Sequence, residues 1–237
     1  AGMLAGGWDD KSDTDQSVLS RLGGDPYDDL IRDLPRYAGD LDSPLRKVGS
    51  AWKIASPQDA WLLLASHVSS NDLSNFEAVA IEVLSSADPR YAMKPEERWL
   101  AAVKDVKPEY SEVLRRGVGE TLIMLALFGS RAHADPQAEH RAARIVEKVL
   151  NGADGQRWWS LSTEFQLLAE AAPRQFLREL ERSLDDDEPA IYALFGSDGH
   201  GIFDAEHLSD LLWALEALSW SQDYIAPVAH ILARLDA

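Results

Sequence analysis

Three side chains near the C-terminal end of the sequence have residue types that can bind a divalent metal ion. His200, Asp204 and His207 offer two imidazoles and a carboxylate, and Asp204 and His207 are separated by about one helical turn. The alternative is that Asp204 begins a helix, whose dipole favours a negative charge, and that His207 and the nearby Asp210 are solvated. This alternative is favoured, because His200 lies between two glycines in a loop that would have to be ordered at an entropic cost.

Other arrangements that could support catalysis are weaker. The group His133, Asp135, Glu139 and His140 is equally well explained by a loop and the polar first turns of a helix. Ser197 lacks the G-x-S-x-G spacing of a nucleophile elbow. The chain has no cysteine, which excludes thiolate zinc sites, and no segment reads G-x-x-x-x-G-K-[ST]. We therefore predict no catalytic residue, no cofactor and no enzymatic activity.

A second group of candidate residues is basic. Arg46, Lys47 and Lys53 lie on a predicted β-hairpin that turns at Gly49-Ser50, and either plausible register places two of them on its outer face. The spacing of Val48, Trp52 and Ile54 predicts that they share one face of this two-stranded ribbon. The basic residues could contact nucleic acid or a protein partner, although a solvated face is the commoner role of such a group.

The elements around this hairpin follow the order of a winged helix. A helix capped by Ser12 or Asp13 ends at Gly23-Gly24, and a second helix over residues 26–37 precedes the hairpin at residues 45–55. Residues 26–37 would be the recognition helix and the hairpin the wing. The first helix of that fold is missing, so we expect the chain to be cut from a longer protein. The alternative is a hairpin packed against two unrelated helices.

Charge argues against DNA as the ligand of this winged helix. The chain has a formal net charge of −17 at pH 7, and the predicted recognition helix with its cap carries more aspartates than arginines. A surface of that sign is repelled by phosphates. Nucleic acid is therefore an unlikely partner.

The four acids at residues 185–188 could capture a cation or a basic partner, but a solvated loop is the usual outcome of such a run.

Beyond residue 56 the sequence predicts helices alone, joined by short loops. They are expected at residues 57–68, 72–86, 95–104, 111–128, 136–150, 156–171, 173–184, 188–195, 205–219 and 222–235. Ser56 is the predicted cap of the first of these helices, and Ser111 is a cap-type residue at the start of the fourth. Gly117 lies in a helical pattern, where a missing Cβ would allow a close neighbour. The segments beginning at Leu161 and Leu208 match at an offset of 47 to 48 residues, which is the period of a HEAT or armadillo-like unit.

We thus predict a mainly α fold: a winged-helix-like domain over residues 1–56 and an antiparallel helical-repeat domain over residues 57–237. An irregular helical bundle is the alternative to the repeat array. Trp61, Trp99, Trp158 and Trp213 fall on apolar helical stripes and are expected in the core. Trp159 and Trp220 follow other large apolar groups and could face outward as a partner surface.

Neither a transmembrane segment nor a signal peptide is evident in the sequence. No run of about 18 apolar residues is present, and the first ten residues lack the charged start and apolar core of a secretion signal. We therefore expect no membrane association and a cytoplasmic location.

Several segments resemble the C-terminal half of large bacterial proteins. They are GGWDD, LRKVGSAWKIASPQDAW, DPRYAMKPEERWLAAV, LRRGVGETLIMLALFGS and LLWALEALSW. Those proteins are similar to STAND-type P-loop ATPases of conflict and signalling systems, in which an ATPase precedes a winged helix and a helical-repeat array. The resemblance implies a non-catalytic module that senses or docks a protein partner, with the P-loop upstream. The alternatives are a winged-helix DNA-binding regulator and, less favoured, a metal-dependent enzyme.

Overall fold

The fold was determined as a computed structural model, which describes residues 1–37, 42–132, 137–195 and 206–236. It is mainly helical with one small three-stranded antiparallel sheet, in agreement with the predicted mainly α class. The chain divides into two compact units. The N-terminal unit comprises Ala1–Leu84 and Tyr110–Ile145, and the C-terminal unit comprises Ser85–Glu109 and Val146–Ala237. These units follow spatial contacts, and the predicted domain boundary after residue 56 stays a prediction.

The N-terminal unit contains the sheet. Its strands are β1 (Gly7–Asp9), β2 (Leu45–Val48) and β3 (Ala51–Ile54). Its helices are α1 (Gly2–Ala5), α2 (Asp13–Gly23), α3 (Tyr27–Ile31), α4 (Leu34–Tyr37), α5 (Pro57–Leu64), α6 (Ser70–Ser85), α7 (Glu112–Phe128) and α8 (Ala138–Leu150). The last turn of α8 belongs to the C-terminal unit, and short 3₁₀ turns follow α5 and α7.

Capping residues set the starts of three helices as the sequence predicted. Ser12, Ser56 and Ser111 each accept a hydrogen bond from the backbone N–H three residues later, at the first turns of α2, α5 and α7. The predicted single helix over residues 26–37 is wrong, because the chain forms α3 and α4 with a turn between them. Pro35 has no N–H to donate to the Ile31 carbonyl, so a continuous helix would lose a bond there.

The sheet has three strands in the order β1-β3-β2, one more than predicted. Strand β1 is only three residues long, too short for an alternating pattern to reveal it. The prediction that Val48 shares a face with Trp52 is also wrong. Val48 pairs with Ala51 across the two-residue turn, whereas Trp52 pairs with Lys47, so alternation places Val48 on the opposite face, where it is 73% exposed.

Tight packing between β1 and α7 holds the N-terminal unit together. A Cβ at Gly117 would overlap with the Ala5 carbonyl oxygen and the Gly7 nitrogen, so only glycine allows the helix this close to the chain. This confirms the predicted close packing at Gly117. On the other face of the sheet, the rings of Trp8 and Trp52 stack with centroids 5.8 Å apart and are buried.

The C-terminal unit is helical throughout the part that the structure describes. Its helices are α9 (Gly155–Ser160), α10 (Phe165–Ala171), α11 (Pro173–Asp185), α12 (Glu206–Ser219) and α13 (Ile225–Leu235), with 3₁₀ helices at Pro89–Ala92, Pro95–Leu100, Ser162–Glu164 and Ala190–Leu194. The predicted helix at residues 156–171 is broken by the third of these turns. The segments predicted as helices near residues 95 and 190 form 3₁₀ turns, which suit their short length.

Four helices of this unit form two stacked pairs. Helix α10 packs against α11 and α12, and α13 packs against α11 and α12. The interior is aromatic: Phe165 lies with its ring centroid 5.8 Å from those of Trp158 and Phe176, and all three are buried. None of the helices in the described ranges combines the length and apolar composition needed to cross a membrane.

Candidate functional site

The last helix pair of the C-terminal unit carries an exposed set of large apolar side chains. We call it the C-terminal apolar face and define it by its five exposed large side chains, which are Leu212, Trp213, Trp220, Ile225 and Leu232. Trp220 is 85% exposed and Trp213 is 57% exposed. Large aromatic groups open to solvent in this number are uncommon and mark interaction surfaces in many proteins.

Helix geometry explains why these side chains face solvent. The inner stripe of α12 is formed by Leu211, Ala214, Leu215 and Leu218, which are all buried, and α12 packs against α10 and α13. Leu212 and Trp213 follow Leu211 directly, so they project about 100° and 200° around the helix from it. The expectation that Trp213 lies in the core is therefore wrong.

The burial of the other tryptophan side chains agrees with the prediction only in part. Trp61 and Trp158 are buried, as expected, and the indole N–H of Trp61 donates to the Phe128 carbonyl at 3.0 Å. Trp99 is 70% exposed and not in the core, because its 3₁₀ helix has no regular apolar stripe to bury. Trp159 is only 5% exposed, so the expectation that it faces outward is wrong.

Trp159 is covered by His207, which is the one residue of the predicted set His200, Asp204 and His207 that the structure describes. His207 lies with its ring centroid 4.3 Å from the Trp159 ring, and its Nδ1 is 2.6 Å from Ser162 Oγ. The Arg98 guanidinium lies 5.0 Å from the same indole. The sequence offered no signal for this Ser162–His207 pair, since the two residues are 45 positions apart. His207 therefore has a structural partner within the unit.

Most of the remaining candidate residues lie in parts of the chain that the structure does not describe. His200, Asp204, Ser197, His133 and Asp135 lie outside the described residues. Within the described residues, no group of three histidine, aspartate or glutamate side chains is arranged to hold a metal ion. His140 is exposed on α8, and Asp210 is half-buried on α12. In the acidic run, Asp185 pairs with Arg234 at 2.8 Å.

The three basic residues of the hairpin have two different environments. Arg46 and Lys53 are directly opposite each other on β2 and β3 and are exposed, so two of the three share one outer face as predicted. Lys47 lies on the other face, where its Nζ is 4.8 Å from the Trp52 ring and 2.5 Å from Asp10 Oδ2. Lys47 thus has a role in packing, whereas Arg46 and Lys53 form no ion pair with any described residue.

Charged and polar side chains around Lys47 connect the hairpin to the segments that precede it in the sequence. Asp10 accepts hydrogen bonds from Lys47 and from the Tyr27 hydroxyl, which in turn accepts from the Trp8 indole at 2.9 Å. Burial alone would raise the pKa of Asp10, but the Lys47 and Tyr27 hydrogen bonds lower it overall. Burial and the Asp10 hydrogen bond raise the pKa of Tyr27. These groups stabilise the fold and are not free for a ligand.

The helices in the predicted recognition position carry paired charges. Arg32 of the turn after α3 pairs with Asp29, and Arg36 of α4 pairs with Asp33 at 3.1 Å. Each arginine is thus partly neutralised by an aspartate three residues earlier. Such a surface has little positive charge to offer to phosphates.

Comparison with protein-family models found no match to the chain, and comparisons with curated protein sequences and with solved structures likewise found none.

Proposed function

We propose that the chain is a non-catalytic protein-interaction module of a larger bacterial signalling or defence protein of the STAND-like ATPase type. The observation that carries the proposal is the C-terminal apolar face, with Trp213 and Trp220 exposed on one helix pair. Burial of apolar surface contributes about 25 cal/mol per Å², so covering two indoles and three aliphatic side chains supplies a substantial part of the affinity of a protein complex.

The arrangement of α10 to α13 supports a repeat-like array in this module. Each helix of one pair packs on its counterpart in the next, the contact pattern that stacked HEAT-like units use. Of the positions matched at the 47 to 48 residue offset, Leu168 and Leu215 are both buried, as are Leu180 and Val228. These four positions are consistent with one repeating core.

Two pairs of matched repeat positions differ in burial, and this difference indicates the kind of partner. Phe165 and Leu184 are buried in the first pair, whereas their counterparts Leu212 and Leu232 are exposed in the second. A helical partner that covers Leu212 and Leu232 would give the second pair the burial that the first already has. We therefore expect the module to bind an amphipathic helix or helix pair of another protein.

A site-specific photocrosslinking experiment tests this function in the full-length parent protein. A benzophenone amino acid replaces Trp220 in one variant and Trp99 in another, which is the matched control because Trp99 is also exposed but lies outside the C-terminal apolar face. Irradiation in cells should crosslink a discrete protein through position 220 and not through position 99. Equal crosslinking at both positions, or at neither, would contradict the proposal.

A second experiment changes the C-terminal apolar face by substitution. In the parent protein, Trp213→Gln combined with Trp220→Gln should strongly reduce co-purification of the protein that position 220 crosslinks, because both exposed indoles are removed. An unchanged set of partners would contradict a role of this face in binding.

DNA binding through the hairpin is the second candidate function, and the adjacent Arg46 and Lys53 are the observation that favours it. It requires duplex binding that weakens steeply with salt. Reversal of Arg46 and Lys53 to glutamate should then abolish binding, and an absence of duplex binding by the wild-type chain at low salt removes this candidate.

A further inference from the structure

A cleft of ≈ 210 Å³ lies in the N-terminal unit, beside the hairpin and α7. One wall is a single face of α7, formed by residues spaced three and four apart, namely Val113, Arg116, Gly117 and Glu120. The opposite wall is the end of β3 and the start of α5, including Lys53, Ile54, Ala55 and Pro57. Gly6 and Gly7 complete the lining. Charged and apolar groups therefore meet in one concave site.

The charged groups of the cleft do not balance. Arg116 Nε lies 3.0 Å from Glu120 Oε1, so these two side chains form an ion pair. Lys53 has no acidic partner among the described residues, and its cross-strand neighbour Arg46 is also positive. Like charges directly opposite each other disfavour the hairpin. The lining thus carries one uncompensated positive charge in a chain with a formal net charge of −17.

The register of the sheet leaves one backbone N–H of the lining, that of Gly7, without an acceptor on β3. Ile54 N–H donates to the Gly6 carbonyl at 2.9 Å and Asp10 N–H donates to the Ser50 carbonyl at 2.8 Å. Since hydrogen-bonded pairs alternate along antiparallel strands, Gly7 lies at a position whose N–H points away from β3. On the same edge of β1, the N–H of Asp9 is bonded to Asp15 at 2.8 Å. Among the described residues, the N–H of Gly7 makes no such hydrogen bond to a carboxylate.

We propose that this cleft binds a carboxylate group carried on a small apolar body. The single negative charge of the carboxylate neutralises the net positive charge of the lining. The carboxylate forms an ion pair with Lys53, and Arg116 is shared between the ligand and Glu120. A phosphate dianion would leave the site negative in an already acidic protein, so it fits the charges less well. The apolar part of the ligand would contact Ile54, Ala55, Pro57 and Val113.

The carboxylate could belong to a free aliphatic acid or to the C-terminus of a peptide, and a titration followed by ¹⁵N NMR distinguishes them. The first probe is butyrate, with butyramide as the uncharged control of the same shape. The second is a short peptide that ends in valine, with its C-terminal amide as the control. We expect saturable shifts of the Gly6, Gly7 and Gly117 amides with a carboxylate probe and none with the amides. The absence of saturable shifts with both carboxylates would overturn the proposal.

Three variants of the full chain separate a specific site from general charge attraction. Lys53→Gln should weaken binding of the carboxylate probe about tenfold, as expected when a charged hydrogen bond is lost. Arg46→Gln is the matched control, because it removes the same charge from the directly opposite position, outside the cleft lining, and should change binding less than twofold. Glu120→Gln should tighten binding several-fold, since it frees Arg116. Equal weakening by Lys53→Gln and Arg46→Gln, or no gain with Glu120→Gln, would contradict the site.

Discussion

The core around β1, α2 and α7 in the N-terminal unit and the stacked helices α10 to α13 in the C-terminal unit are each stabilised internally by different kinds of contact. In the N-terminal unit, buried polar groups join segments that are far apart in sequence: Asp15 accepts from Asp9 N–H at 2.8 Å, from Ser111 N–H at 3.1 Å and from Ser111 Oγ at 2.5 Å. In the C-terminal unit, aromatic rings such as those of Phe165 and Phe176 fill the interior between stacked helices.

This difference has a consequence for binding. Polar contacts with fixed geometry specify one arrangement of β1, α2 and α7 and penalise any other, because an unpaired buried group is costly. Stacked apolar helices lack such directional limits, so a further helix can be added to an open side without the loss of an existing hydrogen bond. The C-terminal unit is therefore the better surface for a helical partner, and the N-terminal unit the better frame for a small cleft.

The largest expected effect is the substitution Gly117→Ala. Its new Cβ would overlap with backbone atoms of Ala5 and Gly7, which cannot rotate away as a side chain could, so the N-terminal unit should lose about 3 kcal/mol or more of stability. Urea unfolding followed by circular dichroism measures the loss. Gly24→Ala is the control: Gly24 has a φ of 79° but open space around it, so it should cost only about 1 kcal/mol. Equal losses would show that the close approach at Gly117 is unimportant.

The next effect tests the polar contacts directly. Asp15→Ala leaves the N–H groups of Asp9 and Ser111 without their acceptor, so we expect a loss of about 2–3 kcal/mol. The control is Asp13→Ala at the exposed neighbouring position of the same helix turn, which should change stability by no more than about 0.5 kcal/mol. If the two substitutions behave alike, the N-terminal unit does not depend on specific buried polar contacts.

Sequence reasoning performed best where the signal was local. The caps Ser12, Ser56 and Ser111 and the turn at Gly49-Ser50 depend on neighbours within a few positions, and all are observed. Strand β1 and the Ser162–His207 pair depend on residues 45 or so positions away, and no local pattern could reveal them. Burial of tryptophan was predicted only in part, since the side of a helix that a neighbour covers is decided by tertiary packing.

A smaller effect is expected from pH. Because its pKa is lowered in the folded chain, Asp10 adds stability above its unfolded pKa of about 3.9, and this stability is lost as the pH falls through the lower folded pKa. Lys47→Met removes one cause of the shift. The variant should be less stable than the wild type by at most about 1 kcal/mol at pH 6, given the partly exposed pair.

This difference between wild type and Lys47→Met should begin to shrink below pH ~3.9, where Asp10 is protonated in the unfolded chain, and should disappear as the pH falls through the lower pKa of Asp10 in the folded chain. Urea midpoints measured from pH 6 to pH 3 provide the comparison, with Arg46→Met as a control whose effect should not depend on Asp10. A difference that stays constant over this range would mean that the Lys47 ammonium contributes through packing on Trp52 alone.

The smallest effect should come from the C-terminal apolar face itself. Trp220 is almost fully exposed, so Trp220→Gln should change the free energy of unfolding by less than about 0.5 kcal/mol. Trp158→Gln is the contrasting substitution in the same unit: it places an amide in the buried site beside Phe165 and should cost several kcal/mol. Thermal and urea unfolding measure both. If Trp220→Gln destabilises the chain as much as Trp158→Gln does, the indole is part of the unit's own packing, and the face is not open to a partner.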